Sequence, residues 1–201
     1  MSDHSPLIGS VCVYCGSSNG ADPLFMEAAA AFGRILAREQ LRLVYGGGGV
    51  GLMGACARAA HGAGGRVLGV MPDFLRQNEV LYDDVETIVV RSMHERKSLM
   101  FEQADAFAIF PGGIGTLEEV VELMSWRRLG LHRKPIVFYS PLGFWEPLFA
   151  LLRHTVDQNL TPPGFLATWR STADVEVILP LMKAMASEEG PEVPRLIPRV
   201  T

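Results

Sequence analysis

Residues Leu41–His61 read LRLVYGGGGVGLMGACARAAH. Leu41 to Tyr45 is a short apolar run of strand length. Gly46 to Gly49 interrupts it, and from about Val50 to His61 small residues continue without proline, as in a closely packed helix. An apolar run, a glycine break and a helix make half of a strand–helix–strand unit. The pattern recurs upstream. Val11–Tyr14 is apolar and ends at Cys15-Gly16-Ser17-Ser18, after which Asp22-Pro23 starts a helix, with Asp as its N-cap and Pro first inside it. Leu24, Ala28, Ala31, Phe32, Ile35 and Leu36 keep the helical period.

Downstream, Gly62, Gly64 and Gly65 close the second helix, and Arg66–Met71 is a third strand stopped by Pro72. Residues 73–84 form a loop with room for one helical turn. Val85–Val90 is a fourth strand, and Ser92–Gln103 a helix with Ser92 and Glu95 in capping-box spacing. Ala106–Phe110 is a fifth strand, followed by a helix over Thr116–Leu129 with Leu117, Val120, Val121 and Met124 as its apolar stripe. Pro135–Tyr139 is a sixth strand, residues 144–159 a helix, and Thr168-Trp169 the mark of a possible seventh strand. Asp174–Ser187 is helical in period, but Pro180 either kinks it or delays its start to about Leu179. Alternating strands and helices predict right-handed crossovers and a parallel sheet of about six to seven strands with helices on both faces. The fold class is α/β, a single Rossmann-like domain over residues 1–187, with a loosely ordered tail over 188–201. In such folds ligands bind beyond the carboxyl ends of the strands.

Composition narrows the function classes. The chain has 201 residues, 48% hydrophobic and 20% charged, with 18 Lys+Arg against 22 Asp+Glu and a net charge of −4. That balance lacks the basic footprint of a general nucleic-acid binder. The longest uncharged stretch, Leu43–Ala57, is too short for a membrane span and rich in glycine. Residues Met1–Pro6 are polar, unlike a secretory leader, and there are three cysteines, so a reduced, cytoplasmic protein is expected. Cys12-Val13-Tyr14-Cys15 is formally C-x-x-C, but it lies inside a strand and has no second pair to complete a zinc site, so its thiols read as core. The five histidines show no H-x-x-x-H spacing, and there is no G-x-S-x-G nucleophile elbow.

Three loops fall at the carboxyl edge. Gly16-Ser17-Ser18-Asn19 is either a plain turn or a place where a ligand reaches backbone and hydroxyls. Gly46–Gly54 holds six glycines in nine residues. It lacks G-K-[ST], so it is not a Walker A loop, and its glycines serve either a ligand or close backbone approach. Their place after the second strand, and the want of room for a substrate domain, argue against a nicotinamide oxidoreductase. Phe110-Pro111-Gly112-Gly113-Ile114-Gly115-Thr116-Leu117-Glu118-Glu119 again links strand to helix. Its glycines expose backbone N–H groups to an anion at a helix N-terminus, while Thr116 and Glu119 could instead be a capping box. Arg96-Lys97 sits in the first turns of the preceding helix, where basic groups oppose the macrodipole. The pair is either a solvated face or an anion contact.

Cys15-Gly16-Ser17-Ser18, Tyr45-Gly46-Gly47-Gly48 through Gly51-Leu52-Met53-Gly54, and Met93-His94-Glu95-Arg96-Lys97 followed by Pro111-Gly112-Gly113-Ile114-Gly115-Thr116-Leu117-Glu118-Glu119 together resemble the LOG (LONELY GUY) family of cytokinin riboside 5′-monophosphate phosphoribohydrolases. The specific element is P-G-G-x-G-T-x-x-E at its distance from M-H-x-R-K. The likeness runs from about Ile8 to Asn159, and more weakly to Ser187. It implies hydrolysis of the N-glycosidic bond of a nucleoside 5′-monophosphate, without a cofactor or metal, by a homodimer. Arg96 and Glu119 take catalytic roles. Ser17, Gly47, Glu79, Met93, Lys97, Gly112, Gly113, Ile114, Gly115, Thr116 and Glu118 take substrate-binding roles. Gln77-Asn78-Glu79-Val80 departs from the family's usual flanks, GGGGVG replaces the frequent GGGSIG, and Pro180 departs from the usual C-terminal helix. A non-catalytic nucleotide-binding or carrier protein is the alternative, against which the intact Arg96/Glu119 pair stands. The chemistry agrees with hydrolysis. Cleaving a ribosyl C–N bond builds positive charge at C1′, which a carboxylate stabilises, as in glycoside hydrolysis. Arg96 is expected to orient Glu119 and keep it ionised.

Overall fold

The computed structural model describes residues 8–76 and 82–188; Glu79 and most of the tail lie outside them. The described strands are β1 (Ser10–Tyr14), β2 (Arg42–Tyr45), β3 (Val67–Pro72), β4 (Glu86–Val90), β5 (Ala106–Ile109), β6 (Ile136–Tyr139) and β7 (Arg170–Thr172). They are interleaved with α1 (Pro23–Arg38), α2 (Gly51–Gly62), α3 (Met93–Glu102), α4 (Ile114–Arg128), α5 (Glu146–Asp157) and α6 (Ile178–Ser187). All seven strands form one parallel sheet, ordered β4-β3-β2-β1-β5-β6-β7. The expected α/β architecture is therefore present, and the expected seventh strand forms just after Thr168-Trp169.

Alternation along β1 sorts the core into two layers. Val11 and Val13 face Phe32 and Leu36 of α1, Leu52 and Ala57 of α2, and Ile178 of α6. Cys12 and Tyr14 face Met100 of α3, Val120 and Leu123 of α4, and Phe149 of α5. The thiols of Cys12, Cys15 and Cys56 are buried and unpaired, and burial pushes all three up, that of Cys56 to about 12. Cys12 and Cys15 are core, as the sequence indicated, and Cys56 joins them. Gly33 lets α1 lie backbone to backbone on α2, since a Cβ there would stand 2.3 Å from the Cys56 carbonyl oxygen. Pro180 is the third residue of α6, where its missing N–H costs no helical hydrogen bond.

The order places β1 centrally, with β2 on one side and β5 on the other. The chain winds outward from β1 to β4, crosses over to β5, and winds outward again to β7. The crevice beyond β1 and β5 is the switch point at which this fold class takes its ligands. At the opposite end, one Asp105 carboxylate oxygen accepts from the Gly9 and Ser10 amides and the Ser10 hydroxyl at 2.8–2.9 Å, tying the entry of β5 to β1.

One packing expectation fails. Val121 is 53% exposed, and Leu123 takes its place against the sheet. The buried face of α4 also carries Thr116, Glu119 and Arg127. A stripe drawn through apolar residues alone therefore sets the helix at the wrong rotation.

Candidate active site

Three loops meet over the β1–β5 crevice. The Gly16 amide donates to the Pro111 carbonyl at 3.0 Å, and the Gly16 carbonyl accepts from the Met53 amide at 3.3 Å. The turn after β1 is thereby held between the P-G-G loop and the start of α2. Ser17 is half-buried there.

The second glycine loop serves close approach within the chain. Gly51 has φ +60°, and a Cβ on it would lie 2.6 Å from the Ser17 carbonyl carbon. A Cβ on Gly54 would lie 2.2 Å from the Gly49 oxygen. Gly47 has φ +84° and rests on Met71. With the Met53 amide given to Gly16, the N-terminus of α2 is docked on the β1 turn.

The third loop is open. α4 begins at Ile114 with Gly113 as its N-cap, two residues before the expected Thr116, and no side chain caps it. A Cβ on Gly113 or Gly115 would meet nothing within 4 Å, and Ile114 is 84% exposed. Thr116 is the third helical residue and buried, with its hydroxyl folded over Gly112, where a Cβ would lie 2.2 Å from Oγ1. The capping-box alternative for Thr116 and Glu119 therefore does not hold. What remains is an uncapped N-terminus with its dipole directed at the crevice, a setting that favours an anion.

Arg96 and Glu119 converge from α3 and α4. Ser92 caps α3, its hydroxyl accepting from the Glu95 amide at 3.1 Å, while the Glu95 carboxylate accepts from the Arg91 amide at 2.7 Å. Arg96 is thus fixed in the first turn and buried. Its Nε donates to the Val70 carbonyl at 3.2 Å and its Nη2 to the Gly46 carbonyl at 3.0 Å. Its Nη1 stands 3.8 Å from Glu119 Oε1, close enough to pair but too long for a hydrogen bond. Glu119 is 7% exposed, and no donor among the described residues bonds to its carboxylate. Burial pushes that carboxyl up to about 7; Arg96 pulls it down and Glu118 pushes it up, with smaller opposed effects from Lys97 and Glu122. The expectation that Arg96 keeps Glu119 ionised is therefore corrected. Loss of hydration outweighs one unbonded cation, and near pH 7 both protonation states are populated.

Lys97 turns to a different pair of partners. Its ammonium bonds to Glu118 and lies 3.0 Å from Glu122. Met93 is half-buried at the start of α3, and Gly112 and Gly113 border the crevice. A hollow of about 390 Å³ opens beside them, walled by Gly16, Asp22, Phe25, Leu52 and Phe144. Sequence reasoning missed Glu122, although Glu118 and Glu122 share a helix face at i, i+4 and so invite a common cation. It also missed Phe25 and Phe144, whose rings meet edge to face at 5.6 Å from α1 and the loop after β6. No local motif links those two positions.

A family model described as possible lysine decarboxylase matches residues 53–182. Cytokinin riboside 5′-monophosphate phosphoribohydrolase LOG7 of Arabidopsis thaliana is 44% identical over 154 residues, covering 76% of this chain and 71% of the relative. The probable phosphoribohydrolase of the same description, LOGL9, from Oryza sativa subsp. japonica is 42% identical over 172 residues, covering 85% of this chain and 76% of the relative. Among solved structures, the molybdenum cofactor carrier protein of Chlamydomonas reinhardtii superposes with a TM-score of 0.67 at 21% identity, over 89% of this chain and 98% of that one. The molybdenum cofactor binding protein of Rippkaea orientalis gives 0.66 at 21%, over 90% and 98%. At such identity these two likenesses concern the fold alone.

Proposed function

The chain belongs to the LOG family of cytokinin riboside 5′-monophosphate phosphoribohydrolases, and on that footing we propose that it hydrolyses the N-glycosidic bond of an adenosine-type 5′-monophosphate to free base and ribose 5-phosphate. The observation that carries this reading is the buried meeting of Glu119 with Arg96, one turn into a helix whose N-terminus is uncapped and open. The 5′-phosphate sits on the first-turn amides of α4, from Gly113 to Thr116, with Gly112, Gly115 and Ile114 bordering it and Ser17 facing it. This anchorage sets the ribose beside Glu119, while Gly47 and Met93 border the base. Glu79, outside the described residues, is carried in the same binding set. The C1′–N bond breaks with its electron pair on the base, which takes a proton from solvent as it leaves, and the proton that Glu119 later accepts from water returns to solvent. Water adds its oxygen to C1′. The ionised form of Glu119 stabilises the positive charge on C1′ and takes the proton that water sheds. Arg96 sets the position of the carboxylate and favours its charged form. Lys97 with Glu118 and Glu122 joins α3 to α4 at the mouth of the site.

Decarboxylation of lysine fits these residues poorly. Lys97, the only lysine in this constellation, is ion-paired to two carboxylates and so is a poor amine for a Schiff base. A carrier function leaves the raised Glu119 carboxyl without a task. The finer parts of the proposal are AMP or an N6-prenylated analogue as substrate, a cytoplasmic setting suited to three unpaired thiols, and no nucleic-acid partner. A homodimer is supported by the face that α4 leaves uncovered, where Ile114, Leu117, Val121 and Trp126 line a groove.

Base release should be followed by chromatography with AMP, isopentenyl-adenosine monophosphate and the matching nucleosides. The 5′-monophosphates are expected to turn over at least about 100-fold faster in kcat/KM, the scale of binding interactions with a phosphate. Equal turnover of nucleoside and nucleotide would remove the role given to the α4 N-terminus.

A further inference from the structure

We propose that Gly46 is a positioning residue for this hydrolysis: the space left by its missing side chain is the space the Arg96 guanidinium occupies beside Glu119. The inference rests on the function proposed above and concerns what holds the cation in place.

A Cβ built on Gly46 lies 1.9 Å from Arg96 Nη2 and 3.1 Å from both Arg96 Cζ and Met53 Sδ. No side chain fits there while Arg96 keeps its place. Steric need at Gly46 differs in kind from that at its neighbours. Gly47 and Gly51 have positive φ, and Gly51 and Gly54 abut backbone, whereas Gly46 has neither property. Alanine at position 46 therefore keeps an ordinary backbone, and the group it displaces is the far end of a flexible side chain. The Gly46 carbonyl also accepts from Nη2, and the Val70 carbonyl, one strand further out, accepts from Nε. One carbonyl just past the end of β2 and one within β3 orient the guanidinium, and the bare Cα admits it. Only then does Nη1 face the carboxylate.

The charged groups that act on Glu119 are Arg96 and Lys97 from α3 and Glu118 and Glu122 from α4, and the titratable groups facing it from the sheet are Cys12 and Tyr14 of β1 and Cys15 just after it, all three of which burial pushes up. Among these Arg96 pulls Glu119 down most strongly. Moving Arg96 away thus raises the carboxyl further, a signature that loosened packing alone does not produce.

The test is a cycle of Gly46→Ala, Arg96→Ala and the double variant, read by kcat and KM on AMP, by thermal melting, and by the NMR titration of 13C-labelled glutamate. Gly46→Ala is expected to lower kcat by about 100-fold, the cost of misplacing a catalytic group by about 1 Å. KM stays within about twofold because the phosphate is anchored elsewhere. Glu119 titrates above its wild-type midpoint. On the Arg96→Ala background, where the space is empty, Gly46→Ala adds no further loss in kcat and no further shift. Retention of wild-type kcat and midpoint by Gly46→Ala, or losses that multiply in the double variant, would overturn the inference. The titration needs no turnover. Wild-type protein that releases no base would therefore refute the proposed function, while the midpoints would still decide the role of Gly46.

Discussion

In the proposed hydrolysis Glu119 is the residue on which the chemistry turns, and its environment makes pH dependence the natural probe. Its folded carboxyl titrates near 7, against an ordinary value of 4.5, because burial disfavours the charge. Because the proposed mechanism works through the ionised form, kcat/KM for AMP should rise with pH along an acid limb centred near 7; a limb near 4.5 would contradict the assigned environment. Stability moves in the opposite sense. A carboxyl raised on folding contributes fully below about 4.5, and the contribution is lost as pH rises through 7. The difference amounts to at most about 3 kcal/mol. Melting curves of Glu119→Gln against wild type should show a gap that shifts in favour of the glutamine variant between pH 5 and 8; a pH-independent gap would be the contrary result. At this scale the sequence revealed the two partners, 23 positions apart, through the M-H-x-R-K and P-G-G-x-G-T-x-x-E patterns. It did not reveal their electrostatic balance, because the loss of hydration depends on side chains from β1, α3 and α4 that only the fold assembles.

The elements were legible in kind and less so in their ends. Asp22-Pro23 and Ser92 mark helix starts by chemistry that acts within three residues, and α1 and α3 begin where they predict. The start of α4 was misplaced because Thr116 and Glu119 have capping spacing while the backbone turns helical at Ile114, after an N-cap, Gly113, that has no side chain to announce it. The glycines of the second loop gave an ambiguous signal for a related reason: a missing side chain does not say what fills its place. Of that loop, Gly51 is the position where backbone need is most plain, with φ +60° and the Ser17–Ser18 backbone 2.6–2.8 Å from where a Cβ would stand. Gly51→Ala should lower stability by about 1–3 kcal/mol, measured by denaturant unfolding, since strain and overlap act together. Gly113→Ala, at an open position with negative φ, should leave unfolding nearly unchanged. Equal costs at the two positions would contradict the separation of a packed loop from an open one.

The whole molecule supplies what no segment contains. Alternation of strands and helices was enough to predict a parallel sheet covered on both faces. The strand order, with its reversal between β1 and β5, came from the structure. That reversal sets the P-G-G loop beside the β1 turn, and the packing of α3 and α4 on one face of the sheet brings Arg96 to Glu119. In the proposed function this convergence performs the hydrolysis. The decisive measurement is the kcat of Glu119→Ala on AMP, with melting recorded on the same preparation. A fall of at least about 100-fold in a folded protein is predicted, the scale of removing one transition-state stabiliser. Turnover close to that of the wild type would contradict it.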